Sequence, residues 1–386
     1  MEIKKNGKTI VLNMIVKNES KIIERCIKSV YDIIDTWCIV DTGSTDGTQE
    51  IIKELLKDKP GKLIEKPWIN FGHNRNEALG FAREWGDWIL LTDADMVLVN
   101  QGFDKNTLDE RVDAYDVIQV NHGTSYYNFR LLNTRKEWRC IGVTHEYYDC
   151  EGGVQVRQRM PTLWFDDISD GGSKDDKFER DIRLLTQGLI DEPGNARYMF
   201  YLAQSYRDTA QWDLAIEWYA KRANEGGWDE EVWYSQYMVG WCQVNRGDSW
   251  HDFMPQLMKC WAMRPRRIEP MWMLGIEARK RKMLTEAYQF SKIAAQAPYP
   301  DEDLLFVLNM AYDFGSLDEH IICSCLTANW QDAEGAALYL LENKWKMLPD
   351  AIKPRVKGNL WLAQKNQGKF NEEALFNFIK HRKSEI

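Results

Sequence analysis

Apolar and polar positions alternate along the first half of the chain in blocks of two kinds. Thr9–Val16 (TIVLNMIV) is a nearly continuous apolar run rich in β-branched residues, broken only by Asn13, as suits a strand buried on both faces of a parallel sheet. Between Ser20 and Ile34 the apolar residues Ile22, Ile23, Cys26, Ile27, Val30, Ile33 and Ile34 recur at helical spacing. The pattern then repeats. Strands are predicted at Trp37–Val40, Lys62–Glu65 and Trp88–Leu91, and helices at Thr48–Leu56 and Asn74–Glu84. Strands separated by helices imply βαβ units and a mostly parallel sheet. Val117–Val120 and Tyr126–Leu132 read as added strands around the turn His122-Gly123-Thr124.

After about Asp176 nearly every segment has helical spacing, and tryptophan and tyrosine become dense. Arg197–Lys221 carries Tyr198, Tyr201, Leu202, Ala203, Tyr206, Ala215 and Tyr219 in an order similar to a tetratricopeptide unit. Val232–Val244 pairs with Phe253–Ala262, and Met271–Lys282 with Thr285–Ala295. Leu304–Phe314, Glu319–Thr327 and Asp332–Asn343 continue the helical run. The match decays along the chain, so the expectation is an all-α helical-repeat region with one well-formed repeat. An irregular helical domain is the plainer alternative. Most of the tryptophans sit at helical spacing and are assigned to core rather than to an acceptor groove.

Composition narrows the classes. With 386 residues, 44% hydrophobic and 28% charged, the chain has the balance of a globular protein and not of a disordered one. A net charge of −9 argues against a duplex-DNA binder, which needs a basic footprint. No apolar run reaches the ~18 residues of a membrane span. The opening MEIKKNGKTIVLNMIV reads as a first strand and not as a signal peptide. The eight cysteines form no pair of CxxC motifs, which disfavours structural zinc and suits reduced thiols in a cytoplasmic protein.

Four constellations carry chemistry. Asp93-Ala94-Asp95 follows the strand WILL and so falls at a strand's C-terminal edge, where open α/β sheets bind ligands. Two hard carboxylates there suit Mg²⁺ or Mn²⁺ shared with a substrate phosphate. Asp41 ends the second strand at the same edge, ahead of a glycine turn and a Ser44-Thr45-Asp46 helix cap. The glycines fit neither G-x-G-x-x-G nor a P-loop. Third comes Trp138–Glu146 (WRCIGVTHE), in which His145 suits a Mn²⁺ shell and Glu146 a general base. The fourth is Phe165–Arg180. Its acids and glycines read as a mobile loop before a helix, with Asp167 the rival base and Lys174 a cation able to meet a growing negative charge.

VLNMIVKNES (Val11–Ser20), VDTGSTDGT (Val40–Thr48), NRNEA (Asn74–Ala78) and WILLTDAD (Trp88–Asp95) occur in order and in register. Together they resemble family 2 glycosyltransferases, covering roughly the first 170 residues. The subgroup with C-terminal tetratricopeptide-like helices, which includes bacteriocin S-glycosyltransferases and related phage and bacterial proteins, is the most similar. The resemblance implies an α/β GT-A fold, Rossmann-like with a mostly parallel sheet. It implies a nucleotide-sugar-binding catalytic domain over 1–170, a hinge or lid over 171–190, and the TPR-like α-helical domain over 191–386. In such enzymes Asp41 would bind the base, and Val16, Asn18 and Glu19 would line base and ribose. Arg75 would approach the pyrophosphate and Asp93 the ribose. Asp93, Asp95 and His145 would surround the metal, with Asp95 the direct ligand. The usual paired acid at the second strand is Asp41-Thr42 here, which leaves one carboxylate.

The implied activity is metal-dependent, inverting transfer from a nucleoside diphosphate sugar, by expectation a UDP-sugar, with Mn²⁺ or Mg²⁺. The acceptor class stays open between a glycan, a peptide, a lipid-linked sugar and a modified nucleobase. The helices would bind the acceptor or a protein partner. Two alternatives stand beside it: a TPR scaffold with a degenerate transferase domain, and a nucleotidyltransferase using the same D-x-D logic.

Overall fold

The computed structural model describes residues 7–121, 124–172 and 177–369. The chain divides into two compact units, 1–205 and 206–386.

The first unit runs β1 (Ile10–Val16), α1 (Ile23–Val30), β2 (Thr36–Asp41), α2 (Thr48–Leu55), β3 (Gly61–Glu65), α3 (Phe71–Ala82), β4 (Trp88–Leu91), β5 (Met96–Asn100), β6 (Ala114–Asn121), β7 (Thr124–Asn133), β8 (Trp138–Ile141), β9 (Tyr147–Cys150), β10 (Arg157–Asp167), α4 (Lys177–Asp191) and α5 (Ala196–Asp208). Eight strands form one sheet in the order β3-β2-β1-β4-β7-β6-β10-β5, and β8 and β9 form a separate ribbon. β3, β2, β1 and β4 are parallel, as the βαβ reading predicts. β7 is antiparallel to β4 and to β6.

Period-2 geometry sorts the apolar run of β1 onto two faces. Ile10, Leu12 and Met14 pack with Trp88, Leu90 and the buried face of α1 (Ile23, Cys26, Ile27, Val30). Val11 packs on the other side with Ile89, Leu91, Leu79 and Ala82. Asn13 interrupts the run for a reason: its buried Nδ2 donates to the Cys38 carbonyl (3.1 Å) and the Ala78 carbonyl (2.9 Å), tying β1 to β2 and α3. Phe165–Asp167, expected in a loop, is the end of β10, parallel to β6 and antiparallel to β5. α4 fills most of the stretch expected as a hinge.

The second unit continues the helices, with α5 crossing the division. It comprises α6 (Trp212–Asn224), α7 (Asp229–Arg246), α8 (Trp250–Met263), α9 (Glu269–Lys280), α10 (Leu284–Gln296), α11 (Ser316–Leu326), α12 (Trp330–Asn343) and α13 (Lys353–Asn366). From α6 on, each helix packs on the next, and α9 and α13 also reach α11, as in a repeat array. Close approach is built in. A Cβ on Gly240 of α7 would stand 2.7 Å from a methyl of Leu257 on α8.

Leu304–Phe314 departs from the helical expectation: 304–308 is not helical, and Ala311–Gly315 is a short π-helix. Buried charges bind that backbone instead. The amides of Leu304 and Leu305 both donate to Glu230 at 2.7 Å, and the Arg267 guanidinium donates to the carbonyls of Leu305 and Phe306. All eight cysteines are free thiols. Among the described residues no helix is long and apolar enough to cross a membrane.

Candidate active site

β6 and β10 run in the direction of β4, because β7 is antiparallel to both of its neighbours. The C-terminal ends of β1, β2, β4 and β10 therefore meet at one sheet edge. A cavity of about 500 Å³ opens there. Its walls include Val16 at the end of β1 with Lys17–Glu19 after it, Asp93–Asp95 after β4 with Met96 opening β5, and Asp167 at the end of β10 with Ser169, Gly171 and Gly172 after it. Trp68, Phe71 and Arg75 close one flank, and Arg180 and Arg183 of α4 another. Of the residues expected from sequence, Val16, Asn18, Glu19, Arg75, Asp93, Asp95 and Asp167 are wall residues. Asp41, His145 and Glu146 are not. Lys174 lies outside the described residues.

The β2–α2 turn locks the loop after β1. The Asn18 amide donates to Ser44 Oγ, the Asn18 carboxamide oxygen accepts from the Thr45 amide, and the Glu19 amide donates to Thr48 Oγ1. Asp46 accepts from the amides of Ser20 and Thr48. Thr42, in place of a second acid, donates to the Val16 carbonyl at 3.0 Å. Asp41 is 1% exposed. Its Oδ1 accepts from the Gly43 and Ser44 amides and from Gln49. Its Oδ2 is buried with no hydrogen-bond partner among the described residues. An orphaned buried carboxylate oxygen is costly.

The NRNEA segment works residue by residue. Asn74 pins the chain before α3 through the Pro67 carbonyl and the Ile69 amide. Asn76 exchanges two hydrogen bonds with the backbone of Cys140. Between them Arg75 reaches Glu146 through Nε and Asp93 through Nη2, each at 2.7 Å. Asp93 is also met by Arg130 at 3.3 Å. Burial alone would raise the Asp93 carboxyl. The charges of Arg75 and Arg130 outweigh it and bring the group down to about 2. Arg130 passes the chain on to Gln119, which donates to Asp167 Oδ2 at 2.8 Å, while Ser169 donates to Asp167 Oδ1 at 2.9 Å. One polar network thus runs from Glu146 through the D-x-D to Asp167.

The three expected metal ligands are not brought together. His145, held at φ 51°, stacks on Tyr201 with 4.0 Å between ring centroids. Its Nε2 lies 3.5 Å from Asp181. Both carboxylate oxygens of Asp93 face guanidinium groups. Among the described residues no three His, Cys, Asp or Glu side chains converge on one point. Asp95 alone fits. It is a carboxylate on the cavity wall, close enough to Gly171 that a Cβ there would stand 3.2 Å from Asp95 Oδ2. A Mg²⁺ or Mn²⁺ completed by substrate phosphate needs only one or two protein carboxylates. Beside it, burial pushes the Glu19 carboxyl up to about 7; the Gly172 amide opposes the rise and the Asp95 charge adds to it.

Sequence reading missed Arg130, Gln119, Ser169, Arg180 and Arg183 as members of the site. The one legible signal was Arg130, a lone charge in the apolar run before Leu131 and Leu132.

Residues 12–161 match the family model described as glycosyl transferase family 2. The matched segment lies within the first unit and covers less than half of the chain. A TPR repeat-containing protein of Synechococcus elongatus is 40% identical over 40% of this chain and 40% of its own. The SPbeta prophage-derived glycosyltransferase SunS of Bacillus subtilis is 26% identical over 57% of this chain and 54% of its own. The chain thus spans about half the length, or less, of these curated relatives. Among solved structures, TarS 1-349 of S. aureus aligns at 13% identity and a TM-score of 0.37, over 67% of this chain and 92% of that one.

Proposed function

We propose that the first unit transfers a glycosyl group, with inversion, from a nucleoside diphosphate sugar to an acceptor nucleophile, and that the donor is a UDP-sugar. The observation that carries this reading is the cavity at the strand ends, where Asp95 faces the space beside an Asp93 locked by two arginines. The orphaned Asp41 Oδ2 suits the ring N–H of a uracil, although Asp41 stands one residue behind the wall at Thr42. The locked loop from Val16 to Glu19 lines the base and ribose, and Asp93 keeps acceptor capacity for a ribose hydroxyl. Asp95 would hold Mn²⁺ or Mg²⁺ together with the diphosphate. That ion supplies Lewis-acid neutralisation of the leaving group.

Asp167 is the better placed of the two candidate bases. It lines the cavity, and Gln119 and Ser169 fix its orientation. Glu146 serves instead as a counter-charge to Arg75. Asp167 accepts the acceptor's proton as the new bond to the anomeric carbon forms. Residues 1–170 would carry the chemistry, and the helices of 191–386 would hold the acceptor or a partner. The test is product analysis of the full chain with Mn²⁺ and a panel of nucleotide sugars. Release of the nucleoside diphosphate supports the reading. Release of a sugar 1-phosphate, with the nucleotidyl group carried to the acceptor, would establish nucleotidyl transfer in its place.

A further inference from the structure

β7 continues past the strand end that carries the D-x-D. Its neighbour β4 stops at Leu91, just after the Leu90–Leu131 pair, whereas β6 and β7 stay paired out to Asn121 and Thr124. β10 follows β6 and ends at Asp167. Side chains two residues apart share a face of a sheet, and the cross-strand hydrogen bonds show which face this is. Gln119 donates to Asp167, Asn128 and Arg130 both donate to Gln119, and Tyr126 is paired directly across from Gln119. Tyr126, Asn128 and Arg130 therefore lie on the face that carries Asp167. On the opposite face the rings are covered. The Arg159 guanidinium stands 4.2 Å from the ring centroid of Tyr127, and that of Arg157 4.6 Å from Phe129. Tyr126 is 42% exposed, and among the described residues neither a cation nor a second ring covers it. Burial and then the charge of Asp167 raise the pKa of its hydroxyl, which puts the candidate base within electrostatic reach of the ring.

Resting on the glycosyl-transfer reading, we propose that this face is the acceptor subsite, that Tyr126 is the platform on which the acceptor stacks, and that the acceptor is a saccharide attacking through a hydroxyl. A sugar ring presents C–H bonds on its faces and hydroxyls on its rim. An exposed aromatic ring meets the first, and carboxamides, which both donate and accept, meet the second. Asn128 uses one N–H on Gln119, and Asn121 one on Ser169, so each keeps capacity for a hydroxyl. Arg130 on this face is engaged by Asp93 and Gln119, which matches the subsite to a neutral acceptor and not to a phosphorylated one. β6 alone separates β7 from β10, so the platform stands two strand spacings, about 10 Å, from the strand of Asp167. A sugar seated on the ring directs a hydroxyl toward that carboxylate. A hydroxyl, unlike a thiol, does not ionise near neutral pH and needs the base. Its oxygen bonds the anomeric carbon and its proton passes to Asp167, while the electron pair of the broken bond stays on the diphosphate oxygen.

The test is saturation-transfer NMR on the full chain with Mg²⁺ and UDP. The probes are a panel of methyl hexopyranosides and methyl N-acetylhexosaminides, beside peptides bearing serine, threonine or cysteine. At least one glycoside is expected to receive saturation from wild type. Tyr126→Ala is expected to weaken its binding about tenfold, the order of one aromatic contact. Tyr126→Phe keeps the ring and is expected to stay within about threefold of wild type. Asn128→Ala is the second variant, expected to weaken the same glycoside by about three- to tenfold. Both residues are exposed, and thermal unfolding checks that each variant is folded. Glycosides that receive no saturation, whether or not a peptide does, overturn the saccharide subsite and leave the transferase reading standing. Glycoside binding indifferent to Tyr126→Ala does the same. Wild type that binds none of UDP, GDP, CDP or dTDP overturns both. If a diphosphate other than UDP binds, it replaces UDP in the titrations.

Discussion

Asp93 illustrates how far single residues were legible. Its place after an apolar strand announces a ligand-binding edge, and Arg75 follows from the NRNEA pattern. What the pattern does not contain is Arg130, fifth in the run Tyr126–Arg130, which arrives by an antiparallel strand and claims the second oxygen of Asp93. The G-x-x-H-E element Gly142–Glu146 suggests His145 as a metal ligand, since an imidazole nitrogen suits Mn²⁺. Its left-handed backbone and its stack on Tyr201 take the ring elsewhere, and no local spacing encodes that. The split between the two candidate bases gives a direct prediction. Asp167→Asn should lower kcat by about 10²–10⁴-fold with donor affinity nearly unchanged. Glu146→Gln should instead act mainly through Arg75, weakening the network and the donor KM. Steady-state kinetics on both variants decide it. Equal loss of kcat in both would contradict the assignment.

At the scale of elements, the strands and helices of the βαβ half lie close to where periodicity puts them, because each is decided by local burial on one face or two. β8, β9 and β10 were not read as strands. Their pairing is set by long-range partners, as in the junction of β10 with β6 and β5. The segment 304–308 departs from the helical reading for the opposite reason. Its apolar residues are helix-compatible, but Glu230 and Arg267, distant in sequence, bind its backbone groups first. One close contact tests the packing that positions Arg75. A Cβ on Gly72, in the first turn of α3, would stand 2.2 Å from the Gly142 carbonyl oxygen. Gly72→Ala should therefore destabilise the first unit by about 1–3 kcal/mol, the usual cost of overpacking, and should lower activity because α3 shifts. Urea unfolding with unchanged stability would show that the turn after β8 yields freely.

For the whole molecule, strand–helix alternation followed by unbroken helical spacing pointed to an α/β first part and a helical second part, and the structure divides into two compact units at 205/206. The boundary itself was less legible, since α4 and α5 carry helical periodicity like the repeats that follow. The helical unit holds a pH-sensitive element. Burial lowers the pKa of His320 to about 4, with its Nδ1 at Ser291 Oγ and its Nε2 3.8 Å from Asp332. The unfolded chain takes up that proton near pH ~6.5, and the folded chain resists until about 4. Stability from this group is therefore present above the unfolded pKa and lost as pH falls from about 6.5 toward 4. Thermal unfolding across this range should show the decline, and His320→Asn should flatten it. A wild-type midpoint independent of pH there would count against the buried neutral imidazole.

The central claim is that the cavity binds a nucleoside diphosphate through Asp95 and a divalent cation. Thermal unfolding of the full chain with Mn²⁺ and UDP, on wild type and Asp95→Ala, addresses it most directly. At a hundredfold excess over the dissociation constant a ligand adds about 2.7 kcal/mol, which for a unit of this size raises the midpoint by roughly 5–10 °C. The account predicts that shift in wild type with metal present, and its loss in Asp95→Ala or on chelation. A folded wild-type sample showing no shift with UDP, or an equal shift in Asp95→Ala, would contradict it.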